Sequence, residues 1–344
     1  MVADPLKALF YPFEPGRIRL PGGAAILFVN GRVCPGLEYL RECGITAQQY
    51  FRPYAKALQL AGVETITEIP EGRLFDAVLI NGARQHTEGL SGLAGALRIL
   101  KADGLLACAA ANDAGGRRLE QDLAALGVKC NAESKYKSRI VVTGRPQDAQ
   151  PGKIREAIDS GSYQPVMDDL YISRPGVFCW DRVDTGSALL AENLPVMTGR
   201  GADFGCGYGF LACHILRASQ QVSELVCIDA DARAVECCRR TLEKNGFSGI
   251  NAKYLWADIT DPAEVLPRDL DWIVMNPPFH EGKEALPGIG AAFIGRAASS
   301  LRSGGELWMV ANAALPYEKI LAANFRQNVR LREENGYKLY QAVK

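Results

Sequence analysis

Four consecutive residues, Asn276-Pro277-Pro278-Phe279, carry the most specific chemistry in the chain. They follow an apolar run, Trp272 to Met275, that predicts a buried strand. Two prolines cannot continue that strand, so the chain must leave the sheet there as a rigid turn. A carboxamide, a fixed carbonyl and an aromatic ring then stand at the strand's carboxyl end, the edge where open α/β sheets bind ligands. The combination suits a flat base that bears an amino group. Such an amine is a poor nucleophile, because its lone pair is delocalised into the ring. Asn276 Oδ1 and the Pro277 carbonyl could accept its two N–H bonds and turn the lone pair toward an electrophile, while Phe279 stacks on the ring. Positioning and desolvation supply the rate in that scheme, and no strong general base is required. His280 therefore reads as a surface or supporting residue. A base inside a duplex is out of reach, so it must be unpaired or flipped out.

Something must be transferred to that amine. Asp203-Phe204-Gly205-Cys206-Gly207-Tyr208-Gly209 follows an expected strand and opens an expected helix, Phe210 to Arg217. Glycines there allow a tight turn and close approach of a ligand to backbone amides, and the helix N-terminus favours an anionic group. Asp229 ends the next strand, where a carboxylate can accept both ribose hydroxyls. Asp258 ends the third and could bind an adenine amino group. A nicotinamide enzyme would prefer Gly-x-Gly-x-x-Gly. The spacing here is Gly-x-Gly-x-Gly with Asp203 just before it, and S-adenosylmethionine (SAM) fits better. It offers an adenosine to Asp229 and Asp258, an amino-acid tail to Asp203 and the glycine loop, and a cationic sulfonium. Trp180, Tyr208 and Trp256 read as packing residues.

The elements that position these groups alternate between strand and helix. In the first half, residues 25–29, 77–80, 105–109 and 140–143 read as strands and segments near 36–42, 47–61, 88–101 and 115–126 as helices. In the second, residues 202–204, 225–228, 254–256, 272–275 and 306–310 read as strands. The helix at 231–245 is the clearest, with Ala234, Val235, Cys238 and Leu242 on one face and Asn245-Gly246 closing it. Alternation of this kind predicts doubly wound, mostly parallel sheets. Residues 145–165 break the pattern with prolines and glycines around one short helix, 153–159. The expected division is a domain of residues 1–150, a linker over 151–165 and a domain of residues 166–344.

The halves echo one another. Phe75-Asp76 through Asn81-Gly82-Ala83-Arg84 resembles Leu270-Asp271 through Asn276-Pro277-Pro278-Phe279, and each half then reaches a glycine-led strand ending in Ala-Asn, at Asn112 and Asn312. Two copies of one domain account for this. The first copy lacks the prolines, the aromatic ring and the glycine cluster, so it is expected to keep the fold without the chemistry.

Bulk composition bounds the reading. The chain has 344 residues, 48% hydrophobic and 23% charged, the proportions of a globular protein of two domains. No apolar run is long enough to span a bilayer, and no signal peptide opens the chain, so a cytoplasmic location is expected. The ten cysteines include no Cys-x-x-Cys, and the three histidines are not paired at ligand spacing, which predicts reduced core thiols and no metal. Residues 1–150 carry 18 Lys+Arg against 15 Asp+Glu, and the remainder 21 against 24, so the first half is the one suited to a polyanion.

These residues resemble the class I SAM-dependent methyltransferases of the "methyltransferase small" group, and within it the bacterial ribosomal RNA guanine-N2 methyltransferases that act on 16S RNA. The resemblance covers nearly the whole chain. Gly176-Val177-Phe178 through Asp184-Thr185-Gly186-Ser187 looks like the family's segment that helps enclose SAM, which places Phe178, Asp184 and Ser187 with the cofactor. Asp203, Gly205, Gly207, Gly209, Asp229, Asp258 and Asn276 look like its SAM motifs, and Asn276 to Gly282 like its target-base motif. Asn312 to Tyr317 and Tyr337 to Tyr340 look like its closing strands. The family has two tandem Rossmann-like domains, the first inactive. The resemblance implies a monomeric enzyme that methylates the N2 amine of a guanine in ribosomal RNA or the small subunit, without a metal. The first domain would support folding and grip RNA through Arg117, Arg118, Lys135, Lys137 and Arg139, unless that stretch is only a solvated face. Cys179-Trp180 departs from the polar pair expected after Phe178. Rival acceptors are adenine N6 in DNA or RNA and a protein glutamine amide; a rival of another class is a non-catalytic RNA-binding or assembly factor with a vestigial SAM site.

Overall fold

The computed structural model describes residues 2–69, 72–144, 150–278, 280–281, 284–285 and 287–344. Phe279 and the side chain of His280 lie outside what is described. The chain divides into two compact units, Met1–Ser162 and Tyr163–Lys344.

In the first unit, strands β1 (Ala25–Val29), β2 (Gly44–Gln48), β3 (Glu64–Ile66), β4 (Phe75–Asn81), β5 (Leu100–Ala111), β6 (Ala132–Lys135) and β7 (Ser138–Gly144) form one sheet. Its order is β3-β2-β1-β4-β5-β7-β6. The helices are α1 (Pro5–Phe10), α2 (Arg52–Leu60), α3 (His86–Ile99), α4 (Leu119–Ala125) and α5 (Pro151–Ser160).

The second unit begins with a hairpin of β8 (Gln164–Val166) and β9 (Tyr171–Ser173) and the short helix α6 (Thr185–Ala191). Then come β10 (Gly199–Phe204), α7 (Phe210–Ala218), β11 (Val222–Asp229), α8 (Ala232–Lys244), β12 (Ala252–Trp256) and β13 (Leu270–Met275). A small hairpin, β14 (His280–Glu281) and β15 (Glu284–Ala285), leads to α9 (Pro287–Ser300), β16 (Leu301–Asn312), α10 (Glu318–Asn324), β17 (Gln327–Glu334) and β18 (Tyr337–Val343). The sheet order is β12-β11-β10-β13-β16-β18-β17, the first unit's order repeated strand for strand. Each sheet is parallel except for its last two strands, which run antiparallel. The doubly wound expectation and the internal echo are both met by this topology.

Parallel strands are covered on both faces, so they read as continuous apolar runs. In β13, Trp272 and Val274 join one core and Ile273 and Met275 the other. In β10, Ala202 and Phe204 face the second core, which turns Asp203 between them toward the side covered by α7 and α8.

Several expectations are corrected. Residues 47–61 are not one helix: β2 occupies Gly44–Gln48 and α2 starts only at Arg52. Thr46, Ala47 and Gln48 lack an apolar strand pattern, but they lie between β1 and β3 and are almost fully buried. Residues 36–42 form only a 3-10 helix, Pro35–Leu40, where Gly36 packs so closely on Phe10 that a Cβ would lie 2.3 Å from its ring. On α8, Val235 falls off the buried face and Thr241 joins it, where its hydroxyl oxygen accepts from Ile172 N (3.0 Å) and donates to Ile172 O (3.2 Å) to dock β9. The stretch expected as a linker instead adds α5 to the first unit. Gly161 follows α5 so close to Ser91 of α3 that an added Cβ would lie 2.2 Å from the Ser91 hydroxyl. Asn312 to Tyr317 is not a strand, since only Asn312 belongs to β16; Tyr337 to Tyr340 does lie in β18.

Candidate functional site

β10 and β13 are neighbours at the point where strand order reverses. Phe204 pairs with Met275, so the next residues, Gly205 and Asn276, leave the sheet side by side. This is the crevice in which open α/β sheets hold ligands.

The glycine loop is built for close approach. Gly205, Gly207 and Gly209 have φ of 84°, 54° and 90°, values that disfavour any side chain. A Cβ on Gly209 would sit 3.0 Å from Cys238 Sγ, which ties the start of α7 to α8. Gly205 N and Cys206 N both donate to Ile228 O, and Gly207 N donates to Asp229 Oδ2 at 2.9 Å, so the loop is pinned to the end of β11. Among the described residues, apart from its chain neighbours, no atom lies within 4 Å of where a Gly207 Cβ would stand, so that backbone faces space a ligand can use.

Asp203 is 1% exposed, and neither carboxylate oxygen has a hydrogen-bond partner among the described residues. Burial, followed by the charge of Asp229, pushes its carboxyl up to about 7. An unpaired buried carboxylate is costly, and a cationic ligand relieves it. Burial also pushes Asp229 up to about 6, against the Asp231 and Gly207 amides that favour its charged form. Asp229 Oδ1 accepts from Asp231 N at 2.9 Å. Each oxygen thus keeps a lone pair for a ribose hydroxyl. Asp258 lies two residues past β12 rather than at its end, and its Oδ1 accepts from Thr260 N (2.8 Å) and the Thr260 hydroxyl (2.6 Å), leaving Oδ2 for a ligand. These groups match the cationic amino acid and the nucleoside of SAM, so the site fits that cofactor. Among the described residues, no group of His, Cys, Asp and Glu could hold a metal ion.

Asn276 Nδ2 donates to Asp184 Oδ2 at 2.8 Å and to Ser187 Oγ at 2.9 Å. Asp184 caps the N-terminus of α6, its Oδ2 also accepting from Ser187 N at 2.9 Å. Thus Asp184 and Ser187, expected around the cofactor, meet the asparagine of the target-base motif, a tertiary contact that no local pattern announces. Pro277 is buried and Pro278 exposed. Phe178 is 62% exposed and stands outside the core clusters. Tyr208 is buried, its hydroxyl donating to Arg182 O at 3.2 Å; Trp180 packs on the same core, and Trp256 Nε1 donates to Ala230 O at 2.9 Å.

At the corresponding edge of the first unit two asparagines bridge the crevice. Asn30 Nδ2 donates to Asn81 O (3.1 Å) and Asn81 Nδ2 to Asn30 O (3.2 Å) across the crevice. Nearby, Arg84, Asn112, Asp113, Arg117 and Arg118 line a cleft of about 460 Å³. Arg84, Arg117 and Arg118 are exposed and make no ion pair among the described residues. Asn112 N donates to Lys137 O at 3.1 Å, which brings the Lys135–Arg139 hairpin to the same edge. Arg139 is already engaged by Glu120 at 3.2 Å, and Lys135 lies 4.9 Å over the Tyr11 ring. Arg84, the echo's counterpart of Phe279, stands at this edge with Arg117 and Arg118.

Residues 170–341 match the family model of the methyltransferase small domain. A ribosomal RNA small subunit methyltransferase C of Stutzerimonas stutzeri is 42% identical over 174 residues, 50% of each chain, so this chain spans about half the length of that relative. The protein of the same name from Shewanella pealeana is 32% identical over 281 residues, 80% of each chain. A solved T. thermophilus 16S rRNA N2 methyltransferase (RsmC), in complex with AdoMet and guanosine, superposes with a TM-score of 0.79 at 25% identity, covering 99% of this chain and 93% of that one. With its glycine loop, Asp229 at a strand end and Asn-Pro-Pro turn gathered at one switch point, the chain belongs to the methyltransferase small domain family, among the relatives named ribosomal RNA small subunit methyltransferase C.

Proposed function

We propose that the second unit transfers a methyl group from SAM to the exocyclic N2 amine of a guanine in small-subunit ribosomal RNA. The observation that carries this reading is the meeting, at one switch point, of an unpaired buried carboxylate, Asp203, with Asn276 beside Gly205. One group calls for a cation and the other offers an acceptor to an amine. The relatives' names, and the guanosine held by the T. thermophilus protein, favour guanine over adenine or glutamine.

SAM, when bound, supplies an electrophilic methyl group on cationic sulfur. Asp203 neutralises the ammonium of its amino-acid tail, Gly205 and Gly207 give it backbone contact, and Asp229 and Asp258 take the ribose and the adenine. Asn276 Oδ1 and Pro277 O accept the two N–H bonds of the guanine amine, so the nitrogen becomes pyramidal and its lone pair leaves conjugation with the ring to face the methyl group. That lone pair forms the N–C bond as the C–S bond breaks, the sulfur keeping the bonding electrons. The methylated nitrogen, now cationic and acidic, gives up one proton to bulk solvent after the transfer. Exclusion of water and fixed acceptors replace a general base.

In this reading the first unit is non-catalytic and holds RNA phosphates through Arg84, Arg117 and Arg118. The working form is a single chain in the cytoplasm, where ribosomal RNA is found. Tritiated SAM incubated with ribosomal RNA from cells lacking the protein, followed by nucleoside analysis, tests the assignment. Label in N2-methylguanosine is expected; label only in N6-methyladenosine, or none, overturns it.

A further inference from the structure

We infer that Asp184 and Ser187 are positioning residues for the acceptor base, fixing which end of the Asn276 carboxamide faces it, rather than ligands of the methyl donor. The inference deepens the proposed function and rests on it for its catalytic consequence.

A carboxamide has two faces of opposite chemistry, and the energy to exchange them by rotation about its terminal bond is small. Presented with its oxygen, Asn276 accepts from an amine; presented with its nitrogen, it sets donor against donor and repels the substrate. The surroundings choose between them. Asp184 as a carboxylate can only accept, so the end of Asn276 that meets its Oδ2 at 2.8 Å must be NH2. Ser187 Oγ, 2.9 Å from the same nitrogen, takes the second hydrogen. With both hydrogens engaged, Oδ1 is held to the opposite side. A flipped amide would put Oδ1 against a carboxylate oxygen and leave NH2 outward.

The clamp is itself rigid. Asp184 Oδ2 also accepts from Ser187 N, so the two partners of Asn276 are fixed to one another at the start of α6. Gly186 between them touches the Tyr337 ring so closely that a Cβ would lie 2.7 Å from its Cε1, which seats α6 against β18. Asn276 reaches this clamp from the end of β13, 92 residues away in sequence from Asp184. The contact also carries charge. Donation to a carboxylate polarises the amide and strengthens Oδ1 as an acceptor. That matters most as the guanine nitrogen becomes positive, so Asp184 acts on the transition state through Asn276.

The test compares wild type, Asp184→Asn and Ser187→Ala. Asparagine is a good helix cap, so Asp184→Asn should fold, and Ser187→Ala leaves the cap oxygen in place. SAM affinity is read by calorimetry, kcat at saturating SAM by methyl incorporation, and the Asn276 side-chain N–H signals by NMR hydrogen exchange. We expect kcat to fall about 100-fold in Asp184→Asn and about 10-fold in Ser187→Ala, with SAM Kd changed less than about threefold. The Asn276 N–H signals should be slow to exchange in wild type and fast in Ser187→Ala. A tenfold or greater loss of SAM affinity with kcat intact at saturating SAM would make these residues cofactor ligands and overturn the inference, as would unchanged kcat in both variants. If wild type itself fails to methylate RNA, the proposed function falls while the exchange measurement still decides the clamp: protection lost in Ser187→Ala supports it, and no protection in wild type removes it.

Discussion

Asp76 and Asp271 hold the same place in the two units. Asp76 Oδ2 accepts from Ala25 N at 2.8 Å and its Oδ1 meets Lys101 Nζ at 2.7 Å. Asp271 Oδ2 accepts from Arg200 N at 2.7 Å and its Oδ1 meets Arg302 Nε at 2.6 Å. Each fastens the start of a central strand to its neighbour. At the other end of the same strands the copies part. By strand register, Phe28 stands where Asp203 does, Asn30 at Gly205, Gln49 at Asp229, and Gly82-Ala83 at Pro277-Pro278. Phe28 is fully buried and satisfied by packing alone, whereas Asp203 is buried and unpaired. Gln49 donates to Gly31 O at 2.7 Å, consuming inside the fold what Asp229 keeps for a ligand. The first copy shows what this sheet becomes when its polar groups answer one another; in the second, Asp203 is left unanswered among the described residues, at a cost in stability.

The largest effect that would sharpen this contrast is at Asn276. Asn276→Ala should lower kcat by about 1000-fold or more while leaving SAM affinity intact, measured by methyl incorporation and calorimetry. Retained turnover would erase the functional distinction between Asn276 and Asn81.

Next is the carboxylate that the first copy replaced. Asp203→Asn should weaken SAM binding about 30- to 100-fold, since the ammonium loses its counter-charge. The same change should stabilise the ligand-free chain at pH 8 by on the order of 2 kcal/mol, read from urea midpoints. The Asp203 carboxyl lies at about 7 in the folded chain against 3.8 unfolded, so the folded state binds the extra proton across that window. Its contribution to stability therefore falls as pH rises from 3.8 to about 7. SAM affinity should move the other way, rising through pH 7 in wild type and not in Asp203→Asn.

A smaller effect tests the first unit. Replacing Arg84, Arg117 and Arg118 with alanine should raise the RNA KM about tenfold and flatten the salt dependence of binding by about 2 in log–log slope, with SAM affinity unchanged. An unaltered salt slope would return this edge to a solvated face. The smallest effect is at Asn81: Asn81→Ala removes one arm of the cross-crevice pair and should cost about 1 kcal/mol of stability without changing methylation at saturating RNA. Loss of SAM binding in that variant would break the division of labour between the copies.

Much of this was legible in residue order. Apolar runs and glycine punctuation gave β10, β11, β13 and β16 and the loop after β10, because buried parallel strands are continuous apolar segments. β2 is not legible in its own residues, because Thr46, Ala47 and Gln48 owe their extended form to the strands on either side, a preference that lies outside the segment itself. The Asp184 and Ser187 pair was visible only as part of a family-like segment; its partner lies on a strand far along the chain.

By itself, the sequence determined that two similar sheets exist, that one ends in an Asn-Pro-Pro turn beside a glycine loop, and that Asp229 ends the strand next to that loop. These follow from local sterics and side-chain periodicity. Only the tertiary structure decided that Asn276 emerges beside Gly205, that Asp203 lies unpaired in the core, and which way the Asn276 amide faces. Each of those depends on strand register and on burial, which arise when distant segments pack.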